Sequence, residues 1–228
     1  MHSDIHGFIF DLDGVLVDTA KYHFQAWRQL ARHLGFGLSQ AQNESLKGVS
    51  RMASLDIVLG IGGIQADAVQ KAAWAERKNG WYIDLISAMT PAEILPNVSA
   101  FIGAARSQGI RTAIGSASKN TPVILKGLGL AGLFDAVIDG NATSKAKPDP
   151  EVFLLAAHSL GLDPSQCLVF EDAEAGVEAA LAAGMRAVGI GAPRSLAKAD
   201  LVIRGFAGIM PETILAQFNL IDHGRTFA

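Results

Sequence analysis

Near the N-terminus lies the stretch His6-Gly7-Phe8-Ile9-Phe10-Asp11-Leu12-Asp13-Gly14. An apolar run that stops at carboxylates and a glycine predicts a buried strand that opens into a loop. Similar apolar runs follow at residues 110–115, 136–139, 168–170 and 187–190, and helix-like stretches separate them at 122–128, 150–160 and 175–183. This alternation predicts an α/β fold with a doubly wound, mostly parallel, Rossmann-like sheet covered on both faces.

Residues from about 17 to 90 interrupt this alternation with helical periodicity at 22–34, 40–46, 51–59 and 66–89, and they contain no convincing strand. We therefore predict a core domain formed by residues 1–16 and 92–228 and an inserted helical domain formed by residues 17–91. The Asp13-Gly14 turn and the Thr90-Pro91 pair are candidate hinges at the two ends of the insertion.

The composition indicates a soluble protein that acts on a small molecule. A net charge of -3 without a Lys/Arg-rich run argues against nucleic-acid binding, which needs a concentrated basic face. No apolar run reaches the roughly 18 residues that suggest a membrane span, and the N-terminus does not read as a signal peptide. The single cysteine, Cys167, excludes an intramolecular disulfide and is expected to be buried. We expect a cytoplasmic monomer.

Polar side chains follow several of the predicted strands. In an open parallel sheet, ligands bind outside the carboxyl ends of the strands, so these residues are expected to lie together. They are Asp11 and Asp13; Ser116, Ser118, Lys119 and Asn120; Lys145 and Lys147; and Glu171 and Asp172. Acids, lysines and hydroxyls on neighbouring loops are what a hard, oxygen-preferring cation and a phosphate require.

Four short motifs follow one another along the chain: Asp11-Leu12-Asp13-Gly14-Val15, Ser116, Lys147-Pro148-Asp149-Pro150 and Glu171-Asp172. Further segments are Thr19, His23 and Trp27, then Leu46-Lys47-Gly48-Val49-Ser50-Arg51, and Ser116-Ala117-Ser118-Lys119-Asn120. Together they resemble the motifs of the haloacid dehalogenase superfamily, and more narrowly those of the β-phosphoglucomutases. The insertion matches the cap domain of that family, so the resemblance covers nearly the whole chain.

The resemblance implies a catalytic role for each matched residue. Asp11 is the implied nucleophile, which becomes an aspartyl phosphate and so splits one difficult transfer into two easier steps. Asp13 is the implied general acid and base. His23, one helical turn beyond Thr19, is expected to couple proton transfer to closure of the cap. Lys147, with Ser116, is expected to neutralise and orient the phosphoryl group.

The resemblance also implies a metal site and a substrate site. Magnesium is the expected cofactor, held by Asp11, the Asp13 carbonyl, Glu171 and Asp172. Arg51 and the loop from Ser118 to Asn120 are expected to bind a second, non-transferring phosphate. The full set of implied substrate-binding residues is Trp27, Lys47, Gly48, Arg51, Ser116, Ala117, Ser118, Lys119 and Asn120.

The implied reaction is interconversion of β-D-glucose 1-phosphate and glucose 6-phosphate, through the aspartyl phosphate and β-glucose 1,6-bisphosphate. That bisphosphate would also be the activator of this isomerase-class, magnesium-dependent phosphotransferase. A second phosphate site favours a mutase, because a phosphatase needs to bind only one phosphate. The alternatives are a sugar-phosphate phosphatase of the same superfamily and, less favoured, a non-catalytic phosphosugar-binding module.

Some residues allow more than one interpretation. Lys145 neighbours Lys147, but the Lys147-Pro148 pair selects Lys147, and Lys145 is interpreted as a solvated loop charge. Trp27 is interpreted either as core packing or as part of the site. The remaining histidines, His2, His6, His33, His158 and His223, are interpreted as structural or exposed.

Two further features bear on cofactors. Residues 127–132 fit the dinucleotide pattern G-x-G-x-x-G, yet a helix-like segment precedes them, so we predict a helix end and a turn instead. Ala173 stands where the resembled family often has a serine after the Glu-Asp pair, and this difference bears on metal affinity more than on catalysis.

Overall fold

The computed structural model describes the backbone of residues 5–46 and 50–224 and the side chains of 5–46 and 50–221. The chain divides into two compact units, Met1–Asp18 with Thr90–Ala228, and Thr19–Met89. Val17 belongs to the first unit because it forms bridges with Asp13 and Ile94. The division thus falls two residues inside each end of the predicted insertion of 17–91. The role of this unit as a cap stays a prediction.

The first unit is built on a parallel sheet. Its strands are β1 (Gly7–Phe10), β2 (Arg111–Gly115), β3 (Ala136–Ile138), β4 (Cys167–Glu171), β5 (Arg186–Ile190) and β6 (Leu201–Ile203). Over the described residues they form a six-stranded sheet in the order β3-β2-β1-β4-β5-β6, and every pairing is parallel. The predicted doubly wound α/β fold is confirmed; β6 was not predicted.

The helices are α1 (Ala20–His33), α2 (Gln40–Asn43), α3 (Arg51–Ile61), α4 (Ala68–Ser87), α5 (Val98–Ser107), α6 (Thr121–Leu128), α7 (Glu151–Leu160), α8 (Glu174–Ala182) and α9 (Pro211–Gly224). The sequence analysis did not predict α5 and α9. Gly129 follows α6 with φ 68, so the glycine pattern at 127–132 ends a helix, as predicted. None of the described helices is long and apolar enough to cross a membrane.

The sheet is buried on both faces, which explains why its strands are continuous apolar runs. On one face Phe8, Phe10 and Phe170 pack with Phe101 of α5 and with Phe206, at ring-centroid distances of 4.7 to 6.3 Å. The other face carries a separate apolar cluster that includes Ile9, Val169, Phe153 of α7 and the buried Cys167. This packing confirms the prediction that Cys167 is buried, and burial raises the pKa of its thiol to about 12.

The second unit contains helices and, among its described residues, no strand, as predicted. Its apolar cluster joins α1, α3 and α4 through Trp27, Leu30, Leu55, Leu59 and Ala75. The predicted helix at 40–46 is α2 followed by a separate turn of 3₁₀ helix. Side-chain caps begin α2, α3 and α4. At α4, for example, the Asp67 carboxylate accepts the Gln70 N–H at 2.8 Å, and Gln70 accepts the Asp67 N–H in return.

Candidate active site

Strand register brings the first and fourth sequence motifs together. Phe10 pairs with Phe170, and the N–H of the next residue, Asp11, donates to the Phe170 carbonyl at 2.9 Å. Asp11 therefore leaves β1 beside Glu171, the last residue of β4. The order of the strands switches sides at this position. β2 and β3 lie on one side of β1, and β4 to β6 lie on the other. Such a switch point is where open α/β sheets bind ligands.

A buried ion triad forms the centre of the site. The Lys147 ammonium lies 2.6 Å from Asp11 Oδ1 and 2.6 Å from Glu171 Oε1. The three side chains are 9, 10 and 2 % exposed for Lys147, Asp11 and Glu171. Burial alone would lower the pKa of Lys147, but the two carboxylates outweigh it and the pKa is raised. This lysine is therefore charged at neutral pH.

The pKa of Asp11 is shifted in the direction that favours the protonated acid. Burial is the largest cause, and the neighbouring Glu171 and Asp13 carboxylates add to it; the Lys147 ammonium opposes them. The net result is an Asp11 pKa well above its ordinary value. A reactive, ionised Asp11 thus depends on positive charge supplied at the site.

The Glu171 carboxylate is held by two backbone donors and fits only because Gly176 has no side chain. Its Oε2 accepts the N–H of Asp172 at 2.6 Å and of Ala173 at 3.0 Å. A Cβ on Gly176 would lie 1.7 Å from Glu171 Oε1. Glycine is therefore required at 176, on the first turns of α8, for Glu171 to keep its rotamer. The Ala173 backbone performs this task without any side-chain hydroxyl.

The carboxylates that would hold a cation also lie together. Oxygens of Asp11, Glu171 and Asp172 lie within 4.8 Å of one another. Loss of hydration, together with the charges of Glu171 and Asp13, raises the pKa of Asp172 to about 7. Oxygen donors clustered with excess negative charge suit Mg²⁺. A Cβ on Gly14, which has φ +82, would lie 1.9 Å from Asp172 Oδ2, so Gly14 allows this approach.

The loop after β2 has the predicted hydroxyls at its base. Ser116 is buried, and its Oγ accepts the Ser118 N–H at 3.1 Å. Ser118 Oγ in turn accepts the N–H of Asn120, the residue that precedes α6, at 3.3 Å. Ala117 and Lys119 are exposed. The structure thus places these five predicted residues on one hydrogen-bonded loop beside β1, the strand that carries Asp11.

The helical unit contains a part-buried pair, His23 and Lys78, of which the sequence analysis predicted only His23. His23 Nδ1 lies 2.9 Å from the ammonium of Lys78, a residue of α4 that is 2 % exposed. The His23 ring stacks on Tyr82, and the ammonium lies 4.5 Å from the Trp27 ring centre. Burial and the Arg51 charge lower the pKa of Lys78 to about 7. Burial, Lys78 and Arg51 lower that of His23 to about 3.

Lys78 was missed by the sequence analysis, although a signal for it exists. It stands three residues after Ala75 and four before Tyr82, on the buried face of α4. A lysine at such a position is rare unless it has a specific partner. The prediction that His23 lies one helical turn after Thr19 is confirmed, because the His23 N–H donates to the Thr19 carbonyl at 3.1 Å.

The structure distinguishes between some of the open interpretations. Lys145 is 68 % exposed and pairs with Asp149, so it is the solvated loop charge that was predicted. Trp27 is buried in the apolar cluster, which shows packing and leaves a role in the site as a prediction. Arg51 is half-buried at the start of α3. Lys47 and Gly48 lie outside the described residues.

Among the remaining histidines, His6 and His158 are exposed, and His33 lies 2.6 Å from the Arg77 guanidinium. His2 and the His223 side chain fall outside the described part. These placements confirm the prediction for the three described histidines.

Comparison with known proteins places these features in a family. A family model described as haloacid dehalogenase-like hydrolase matches residues 5–184. A β-phosphoglucomutase of Bacillus subtilis is 41% identical over 198 residues, which are 86% of this chain and 88% of the relative. A fructose-1-phosphate phosphatase of Escherichia coli is 34% identical over 83% of this chain and 98% of its own. The crystal structure of a β-phosphoglucomutase from Clostridium difficile superposes with a TM-score of 0.86 at 40% identity, covering 95% of this chain and 98% of that one.

Proposed function

Because the chain belongs to the haloacid dehalogenase-like hydrolases, we propose that it is a β-phosphoglucomutase, which interconverts β-D-glucose 1-phosphate and glucose 6-phosphate. The observation that carries this proposal is the arrangement of two groups of residues on adjacent strands. Asp11 follows β1 and contacts Lys147, and the loop from Ser116 to Asn120 follows β2, the strand that pairs with β1. The pair of Asp11 and Lys147 can transfer a phosphoryl group, and the loop from Ser116 to Asn120 can bind another phosphate. The 41% identical mutase of Bacillus subtilis supports the same choice.

In the first half-reaction, a carboxylate oxygen of Asp11 attacks the phosphorus of the bisphosphate, and the bond from phosphorus to the sugar oxygen breaks. The Lys147 ammonium, 2.6 Å from Asp11 Oδ1, favours the ionised nucleophile against the effect of burial. It also opposes the negative charge that spreads over the phosphoryl oxygens in the transition state. Asp13 protonates the departing sugar oxygen and later removes a proton from the hydroxyl that is phosphorylated.

The acidic residues fit a magnesium ion. Asp11, Glu171 and Asp172 would hold it, with the Asp13 carbonyl as a further ligand, and the ion would offset the charge of the phosphoryl group. Glu171 reaches the site already fixed by two backbone N–H groups and by Lys147. The protein therefore needs little rearrangement to bind the ion.

The helical unit is proposed to complete the sugar-phosphate site. Arg51, with Lys47 and Gly48, would bind the second phosphate. Thr19 and His23 would assist the proton transfer at Asp13. When Lys78 is charged it can only donate, so His23 Nδ1 then accepts and the ring proton is on Nε2. Lys78 would thus determine which ring nitrogen of His23 carries a proton that can be donated.

A product assay tests the proposal. The purified protein is incubated with β-glucose 1-phosphate, Mg²⁺ and a trace of β-glucose 1,6-bisphosphate, and glucose 6-phosphate is measured against inorganic phosphate. We expect glucose 6-phosphate from the β anomer, dependence on the added bisphosphate, and no turnover by Asp11→Asn. Release of inorganic phosphate at a comparable rate would contradict the mutase assignment. Size-exclusion chromatography of the same protein tests the accompanying expectation of a monomer, and localisation in the cytoplasm is part of the proposal.

A sugar-phosphate phosphatase is the second candidate, supported by the 34% identical fructose-1-phosphate phosphatase of Escherichia coli. A phosphatase would ignore added bisphosphate and would tolerate Arg51→Ala, since it binds one phosphate. A non-catalytic binding module is disfavoured because both Asp11 and Asp13 are present.

A further inference from the structure

A turn after β3, residues Asp139, Gly140 and Asn141, packs on the loop after β2. The Gly140 N–H donates to the Ser118 carbonyl at 3.2 Å, and Asn141 Nδ2 donates to the Lys119 carbonyl at 3.1 Å. Gly140 is buried, and a Cβ there would lie 2.3 Å from the Ala117 carbonyl oxygen. The two segments are therefore in direct backbone contact, with no room for a side chain between them.

The turn is itself held rigidly. The Asp139 carboxylate accepts the Asn141 N–H at 2.8 Å and the Asn141 side-chain amide at 3.1 Å. Both interactions orient the amide that reaches Lys119. At the base of the turn, the Ser116 N–H donates to the Ile138 carbonyl at 3.0 Å, so the pairing of β2 with β3 continues into the two loops. Asn141 is exposed, so its contacts lie at the surface and not in the core.

These contacts have an electrostatic consequence for the loop. The carbonyls of two successive residues, Ser118 and Lys119, are directed toward the turn. In a trans peptide the N–H points opposite to the carbonyl, so the N–H groups of Lys119 and Asn120 are directed away from the turn. The Asn120 N–H donates to Ser118 Oγ at 3.3 Å, so the Lys119 N–H is the one that we assign to a phosphate. An anion is repelled by carbonyl oxygens and attracted by N–H groups. The turn thus keeps the loop in the orientation that a phosphate requires.

We propose that Asp139, Gly140 and Asn141 form a positioning element that sets the affinity for the second, non-transferring phosphate of a sugar bisphosphate. This inference rests on the proposed function, since that function requires a second phosphate site. The turn makes none of the contacts that hold Asp11, Lys147 and Glu171 together. It contacts the loop at Ala117, Ser118 and Lys119, whereas the Ser116 N–H is bound by Ile138, which precedes the turn. The turn is therefore expected to act on binding of the bisphosphate more than on phosphoryl transfer.

Binding is measured in an Asp11→Asn background, which prevents turnover. Titration calorimetry with Mg²⁺ and β-glucose 1,6-bisphosphate compares that protein with versions that also carry Asn141→Ala or Asn141→Asp. Aspartate has the shape of asparagine but cannot donate to Lys119. We expect both to weaken binding about 5- to 10-fold, the size of losing the hydrogen bond to the Lys119 carbonyl. Gly140→Ala should weaken it further because of its overlap with Ala117. Ser107→Ala, which removes another exposed side-chain donor to a backbone carbonyl, is the matched control and should leave binding unchanged.

A second readout separates positioning from general damage. With Asp11 restored, hydrolysis of acetyl phosphate, which has a single phosphate, should keep kcat/KM within about 2-fold in Asn141→Ala. Unchanged bisphosphate binding, equal losses in both measurements, or no binding by the Asp11→Asn protein itself would overturn the inference. If binding depends on Asn141 but no glucose 6-phosphate forms, the inference stands and the mutase assignment fails. If glucose 6-phosphate forms but binding ignores Asn141, only the inference fails.

Discussion

At the scale of single residues, Lys147 determines the charge balance of the site. It lies between Asp11 and Glu171, two buried carboxylates that would otherwise repel each other. Removing one partner of a buried ion group leaves the other charges uncompensated, and they respond by taking up a proton. The reactivity of Asp11 is thus tied to a residue 136 positions away in the chain.

Lys147→Met should lower kcat by about 10²- to 10³-fold, the usual effect of removing one group that stabilises transition-state charge. The reason is twofold, because Asp11 loses the ammonium that favours its ionised form and the phosphoryl oxygens lose a donor. Steady-state turnover of β-glucose 1-phosphate measures the effect. Lys145→Met is the matched control, since Lys145 is an exposed lysine of the same loop and should change kcat less than about 2-fold. Equal losses in both variants would contradict the role of Lys147.

Gly14→Ala should lower the apparent affinity for Mg²⁺ by about 10-fold or more, the range seen when residues that orient metal ligands are changed. The added Cβ would lie 1.9 Å from Asp172 Oδ2 and displace that carboxylate. The Mg²⁺ dependence of turnover measures this. Gly208→Ala is the control, because Gly208 also has positive φ, at +71, but has nothing within 4 Å of an added Cβ. It should cost about 1 kcal/mol of stability and leave Mg²⁺ affinity unchanged.

At the scale of elements, the start of α7 anchors the loop that carries Lys147. The Glu151 carboxylate accepts the Ser144 N–H at 2.8 Å and the Lys145 N–H at 2.7 Å. Asp149 accepts the Glu151 N–H at 3.1 Å, which caps the helix. The hydrogen bonds from Lys145 and Ser144 lower the pKa of the Glu151 carboxyl, and the Lys145 N–H is the largest cause. The start of α7 therefore holds the backbone of the loop that carries Lys147.

Glu151→Ala should lower kcat about 10- to 100-fold and leave KM nearly unchanged, because a small displacement of a reacting group is costly while binding uses other residues. Separate determination of kcat and KM tests this expectation. Glu212→Ala removes an acidic residue from the first turn of α9 and serves as the control, with no expected change in kcat. A rise in KM with constant kcat would show that Glu151 acts on substrate binding instead.

At the scale of the whole molecule, the two units can be followed separately. All three tryptophans, Trp27, Trp74 and Trp81, belong to the helical unit, so tryptophan fluorescence reports on that unit during unfolding. The same unit contains the buried Lys78, whose ammonium lies beside His23, Trp27 and Tyr82. Its stability should therefore depend on the protonation of this lysine.

The free energy of unfolding of the helical unit should rise as pH increases from about 7 toward 10. The pKa of Lys78 is about 7 in the folded protein and 10.5 ordinarily, so in this range the unfolded chain binds more protons than the folded one. The slope for one such proton is up to about 1.4 kcal/mol per pH unit. Urea unfolding followed by tryptophan fluorescence at several pH values measures it.

Lys78→Met should flatten this dependence, whereas Lys71→Met, a change at a partly exposed lysine of the same helix that pairs with Asp56, should preserve it. The same slope in both variants would show that another group is responsible.

Local patterns were sufficient for much of the fold and of the site. The apolar runs predicted β1 to β5, and the polar residues that follow them predicted Asp11, Lys147, Glu171 and Asp172. The elements that were missed lack such signals. β6 has three half-buried residues at the edge of the sheet, and Asn97, the residue before α5, has φ 66 and provides no side-chain cap.

The sequence alone therefore establishes the α/β class, indicates the helical insertion and predicts which groups react, because strand burial and loop chemistry follow from neighbouring residues. Tertiary structure was needed for the rest. The ion triad, the space that Gly14 and Gly176 leave, the burial of Lys78 and the contact of Asn141 with Lys119 join segments far apart in the chain. Their distances depend on how strands pair and helices pack, and no short stretch of sequence contains that information.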